Sequence, residues 1–138
     1  VHFWQTGTDG DLGAALSAAA MVPLDGLFVT GGVIHNLQEP ANRIARFTHE
    51  RRLPTVTDSP GKFFLAGGAI LSYSAELKEL ASRTAYFVDR ILRGARPGDL
   101  PIEQPTKYEL TVNAKAAKTI GLNIPSALLL RADRVINE

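Results

Sequence analysis

Apolar and polar positions along this chain switch repeatedly between a strand period and a helix period. Val1-His-Phe-Trp-Gln-Thr6 is rich in β-formers and predicts a strand. Gly7 to Gly13 reads as a turn. In it Asp9 or Asp11 is placed to cap a helix running from Ala14 to Met21, which Pro23 ends. Leu24 to Thr30 is a short apolar run of the kind that forms a buried parallel strand, and Gly31-Gly32 breaks it. A loop then leads to Glu39. Pro40 suits the first turn of a helix, in which Ala41, Ile44, Ala45 and Phe47-Thr48 recur at helical spacing.

Leu53 to Asp58 predicts the next strand, Ser59-Pro60 a turn or short helix to Leu65, and Ala66 to Tyr73 a further strand entered through a glycine pair. Ala75 to Arg93 carries the clearest helical stripe: Leu77, Leu80, Ala81, Thr84, Phe87, Val88, Ile91 and Leu92. Gly94 stands where a helix-ending glycine belongs. Three prolines between Arg96 and Pro105 fix φ and exclude helix there. Tyr108 to Asn113 alternates as a strand. Asn113 caps a short helix that Gly121 closes, and Pro125 to Ile136 is expected to be a last, frayed helix. This order predicts one α/β domain over residues 1–138, with a mostly parallel sheet flanked by helices and right-handed crossovers.

Composition changes this picture mainly by exclusion. The chain has 138 residues, enough for one sizeable core, and is 45% hydrophobic, so it is expected to fold. Its 15 basic and 14 acidic residues leave a net charge of +1, which gives no reason to expect nucleic acid as a partner. There is no cysteine, hence no disulfide, thiolate metal site or cysteine nucleophile. No apolar run is long enough for a transmembrane helix. The run from Ala14 to Val22 lacks a basic lead-in and is not read as a signal peptide. A chain that opens on Val1 and directly on a strand is expected to be a processed or cloned fragment.

Few motifs carry chemistry. Gly7-x-x-Gly10-x-x-Gly13 follows a strand and precedes a helix, but its spacing is wrong for a dinucleotide loop, and a turn with a cap explains it better. His2, His35 and His49 show no metal-ligand spacing, so no metal or other cofactor is expected. Ser72 and Ser74 lack the surroundings of a nucleophile elbow. No catalytic constellation is expected.

One positional argument remains. Ligands of open parallel sheets sit beyond the carboxyl ends of the strands. Here those ends are Thr6-Gly7, Thr30-Gly31-Gly32, Asp58-Ser59 and Ser72-Tyr73-Ser74. Their hydroxyls and backbone N–H groups suit a polar ligand such as an amino acid or a sugar, with Tyr73 as a stacking wall. The same residues are also what ordinary turns are made of.

The segment Tyr86-Phe-Val-Asp-Arg-Ile-Leu-Arg-Gly-Ala-Arg-Pro97 runs on into Asp99-Leu-Pro-Ile-Glu-Gln-Pro-Thr-Lys-Tyr-Glu-Leu110. After it come Asn113, Ala117-Lys118, Gly121-Leu122, Ile124-Pro125, Leu129 and Arg131-Ala-Asp133. This resembles the C-terminal region of ABC-transporter substrate-binding proteins, the type I periplasmic-binding-fold group that includes tryptophan- and tyrosine-binding components. Asp25 to Thr30, Arg52-Leu-Pro54 and Gly67 to Tyr73 match further blocks. The resemblance implies one lobe of a periplasmic-binding-protein-like (Rossmann-like) fold. It also implies two lobes hinged around a small solute, delivery to an ABC permease, a periplasmic or lipid-anchored location, and no catalysis. The ligand-binding positions it implies are Thr30, Gly31, Asp58, Ser59, Ser72 and Tyr73.

This chain departs from the family pattern at Ser74, where the family has glycine, and at Gly31-Gly32. It is also much shorter, so the whole first lobe and the first strand–helix unit of the second are expected to lie outside it. Apolar surface left bare in this way predicts a homodimer, with the helix from Ala75 and the segment Pro101 to Asn113 as exchanged parts. The alternative is a stand-alone dimeric ligand-sensing or interaction module with the same fold and no transporter. A small hydrolase or nucleotide-binding protein would need a site around Asp58, Ser72 or His35.

Overall fold

The computed structural model describes residues 1–32, 37–59 and 68–137. His35 and the expected turn or helix from Pro60 to Leu65 lie outside them. The architecture is α/β. Three parallel strands follow one another: β1 (Leu27–Val29), β2 (Thr55–Thr57) and β3 (Leu71–Ala75). Strand β4 (Tyr108–Asn113) runs antiparallel to β3, pairing Leu71 with Val112 through to Ala75 with Tyr108. Strand β5 (Arg134–Ile136) lies parallel to β4, so the sheet order is β1-β2-β3-β4-β5.

Helix α1 (Asp9–Ala20) starts earlier than its alanines suggest, and its cap is Thr8 rather than Asp9 or Asp11. The Thr8 hydroxyl accepts the Asp11 N–H at 3.2 Å, and the Asp11 carboxylate accepts the Thr8 N–H at 2.8 Å. This is a reciprocal capping box, which satisfies donors at the helix start that have no partner within the helix. It carries Gly10 and Gly13 into the helix. A side chain at Gly13 would meet the Arg43 guanidinium 3.1 Å away, so glycine there lets α1 approach α2 (Gln38–Glu50). Pro40 sits in the first turn of α2, and Ala41, Ile44 and Thr48 turn inward.

The register places Leu27, Val29, Thr55, Thr57 and Ser72 on one face of the sheet and Phe28, Val56, Leu71 and Tyr73 on the other. Helices α1 and α2 cover the first face, where Leu12, Val29, Ile44 and Ala69 form a buried cluster. Helix α4 (Ala114–Thr119) packs on the second face through Ala116, Ala117 and Ile120 against Ile70 and Leu71. Asn113 caps α4 by accepting the Ala116 N–H at 2.8 Å, and Gly121 closes it with φ +80°.

Helix α3 (Leu77–Leu92) begins two residues later than its stripe predicts, because Ala75 is held in the β3–β4 ladder. It ends as expected. Gly94, at φ +97°, donates to Ile91 at 2.9 Å and Ala95 donates to Arg90 at 3.0 Å, the paired bonds of a Schellman motif. A 3₁₀ turn (Pro97–Asp99) and an extended strap then lead back to β4.

Two expectations fail. Val1 to Thr6 is not a strand: it makes no ladder, and β1 stands at the sheet's edge. β-Formers create a strand only where a partner offers hydrogen bonds. Here the segment instead runs beside α1 and β1, with His2 stacked on Trp4 at 5.6 Å. The final helix is also much shorter than expected. Only Ser126–Leu129, α5, is helical, and β5 follows. Leu110 donates to the Asp133 carboxylate at 2.8 Å and accepts the Asp133 N–H at 2.9 Å. That docks the chain on the free side of β4, where a ladder satisfies more backbone groups than a frayed helix end would.

Candidate functional site

The carboxyl ends of β1 and β2 meet in one place. The Gly31 N–H donates to the Asp58 carboxylate, tying the two loops together across 27 residues of sequence. A Cβ on Gly31 would stand 3.3 Å from the Asp58 carboxylate and 3.5 Å from the Ser59 Cβ, so the close approach needs glycine. The Ser59 N–H donates to the buried Thr57 hydroxyl at 3.1 Å. The Ser72 hydroxyl donates to the Ser59 carbonyl at 2.8 Å. Ser72 is 2% exposed, so it holds the loop from behind and its proton is aimed at a backbone carbonyl rather than at a base. Asp58, Thr30 and Gly31 are open to solvent and Ser59 is buried.

Gly31, Asp58, Ser59 and Ser72 are thus brought together, with Thr30 beside them in the chain. Tyr73 is not part of this group. Strand alternation turns it to the opposite face, where it is 56% exposed and stacks on Tyr108 at 5.4 Å. Sequence reasoning missed Tyr108, because the stack is a diagonal pair across β3 and β4 and requires the register to be known.

Chemically the cluster offers a carboxylate, a hydroxyl and backbone N–H groups to a polar solute. No group of three or more metal-ligating residues occurs among the described residues. His49 packs over Gly68 rather than into the site. A separate apolar recess of about 680 Å³ lies at the outer edge of the sheet, between the Val1–Thr6 segment and Leu16, Leu27 and Phe47. It reaches Thr30 but is otherwise a gap beside the unladdered segment. No helix among the described residues is long and apolar enough to cross a membrane.

Similar proteins share this architecture. An L-Trp complex of an ABC domain from Streptococcus pneumonia superposes with a TM-score of 0.83 at 18% identity, over 99% of this chain and 46% of that one. A conserved domain protein from Vibrio cholerae gives 0.77 at 24% identity, over 91% and 41%. A ligand-free, open substrate-binding protein with adhesive properties from Clostridium difficile gives 0.62 at 18%, over 95% and 42%. This chain therefore spans less than half the length of each. No sequence among curated proteins matches it. The family model of ABC transporter substrate binding proteins matches residues 25–136, from just before β1 through β5. The chain belongs to the ABC transporter substrate-binding protein family.

Proposed function

We propose that this chain is a single domain forming one lobe of the solute-binding component of an ABC-type uptake system. The observation that carries the reading is the family match over residues 25–136, which ends on a sheet whose strand ends form a polar cluster. The solute is small and polar or aromatic, of the amino acid or sugar class, and the neighbour that holds L-Trp favours an amino acid. Thr30, Gly31, Asp58 and Ser59 face it. The exposed Asp58 carboxylate supplies a counter-charge for an ammonium group, and Ser72 keeps the Ser59 loop in place. Tyr73, backed by Tyr108, supplies an aromatic wall on the far side of the sheet. The second lobe comes from polypeptide outside this chain, the solute passes to an ABC permease, and the protein works outside the cytoplasmic membrane, periplasmic or lipid-anchored, without catalysis.

The test is a thermal-shift screen of amino acids, L-Trp included, and sugars on the full-length gene product. At least one is expected to raise the melting temperature, and Asp58→Asn is expected to abolish the rise for an amino-acid ligand. A flat response across both classes overturns the reading. A stand-alone dimeric sensing module with the same fold is the second reading, favoured by the apolar surface left bare on α3.

A further inference from the structure

None of the sixteen residues of α3 is buried. The helix is instead fastened to the strap that follows it. Glu76, Glu79 and Arg83 recur at i, i+3 and i+7, which places them on one face of α3. The strap runs back along that face in the opposite direction. Arg83 Nε donates to Glu103 Oε2 at 2.7 Å, and its Nη2 donates to the other oxygen of the same carboxylate. The guanidinium also lies 4.5 Å from the centre of the Tyr86 ring. One turn nearer the sheet, Glu79 accepts the Thr106 hydroxyl at 2.7 Å and the Lys107 N–H at 2.9 Å. At the base, the Glu76 N–H donates to the Lys107 carbonyl at 3.0 Å. Pro101 and Pro105 keep the strap extended, so helix and strap have matched lengths.

The unit joins the sheet through two crossings, Ala75–Leu77 and Lys107–Tyr108, which lie side by side because Ala75 pairs with Tyr108. Two adjacent crossings at element ends are the usual form of a hinge.

We infer that Glu79 and Arg83 lace the strap to α3, so that residues 77–107 form one rigid arm that swings on the paired crossings. Glu79 and Arg83 are positioning residues. The arm is defined by its own bonds, whether or not a solute binds. Its use in closing a cleft rests on the solute-binding reading.

The chain has no cysteine, so introduced pairs accept spin labels without background. Ser82→Cys with Ile102→Cys measures distances inside the arm. Ser82→Cys with Lys115→Cys measures the arm against the sheet, and Asp25→Cys with Lys115→Cys reports on the sheet alone. The first and third pairs are expected to give narrow distance distributions, and the second one about twofold wider. Adding Glu79→Gln and Arg83→Gln is expected to widen the first pair while leaving the third unchanged, which separates loss of lacing from unfolding. An arm-to-sheet distribution as narrow as the sheet control overturns the swing. An arm-internal distribution unchanged by the double substitution overturns the lacing. The solute screen on the full-length product is a separate measurement, so failure there leaves these outcomes standing.

Discussion

Arg52 is the one non-glycine residue among the described residues with a left-handed backbone, at φ +53°. It stands just past the end of α2, where its N–H donates to His49 at 3.1 Å and the Leu53 N–H donates to Thr48 at 2.8 Å. This is the same Schellman closure that Gly94 and Gly121 make, built with a residue whose Cβ opposes it. Arg52→Gly is therefore expected to stabilise the chain by about 1 kcal/mol in chemical denaturation. Loss of stability would show that the Arg52 side chain contributes more than its backbone costs. Gly68 presents the opposite case. Its φ is +116°, and a Cβ there would fall within 2.9 Å of the His49 ring. Glycine at 94 and 121 was legible as helix punctuation, whereas Arg52 was not, because nothing local marks an arginine for that conformation.

At the scale of elements, α1 depends on a pair of residues at its start. The Thr8 hydroxyl, and then the Thr8 and Gly7 backbone N–H groups, hold the Asp11 carboxyl below its ordinary pKa of 3.8. A lowered carboxyl pKa contributes stability above the unfolded value, and that contribution is lost as pH falls through the folded value. The melting temperature of Asp11→Asn is thus expected to lie below that of the parent by a constant amount above about pH 5, with the gap closing in more acid solution. A gap that persists unchanged at the acid end would remove the capping box as its cause. Thr8-x-x-Asp11 was readable as this box from the sequence. The alanines further on drew attention to the wrong start.

Across the whole molecule, the two sheet faces differ. One is covered by α1 and α2. On the other, α4 packs on Ile70 and Leu71, and Phe28 remains 61% exposed. Along α3, Leu77, Val88, Ile91 and Leu92 are also open. Apolar surface of this extent in one chain favours association. The 138-residue chain by itself is expected to be a homodimer in light scattering at micromolar concentration, and Val88→Glu with Ile91→Glu is expected to return it to monomer. A monomer from the unaltered chain would overturn this. The exchanged segment expected between Pro101 and Asn113 is bonded within its own chain, to Arg83, Glu79 and β3, which leaves the α3 stripe as the surface for pairing.

What the sequence determined by itself was local. The strand–helix alternation, the Gly94 and Gly121 stops, the Asn113 cap and the family's C-terminal motif run all rest on chemistry within a few neighbouring residues. Only the tertiary structure decided the rest, because each remaining question turned on which backbone groups find partners far along the chain. Val1 to Thr6 has β-forming residues but no ladder, while Arg134 to Ile136 becomes a strand because β4 offers it a free side. Tyr73 and Ser72 are neighbours in sequence and face opposite ways, and register alone assigns Ser72 to the solute cluster and Tyr73 to Tyr108. The cluster of Gly31, Asp58 and Ser59 exists because two strand ends 27 residues apart come within one hydrogen bond.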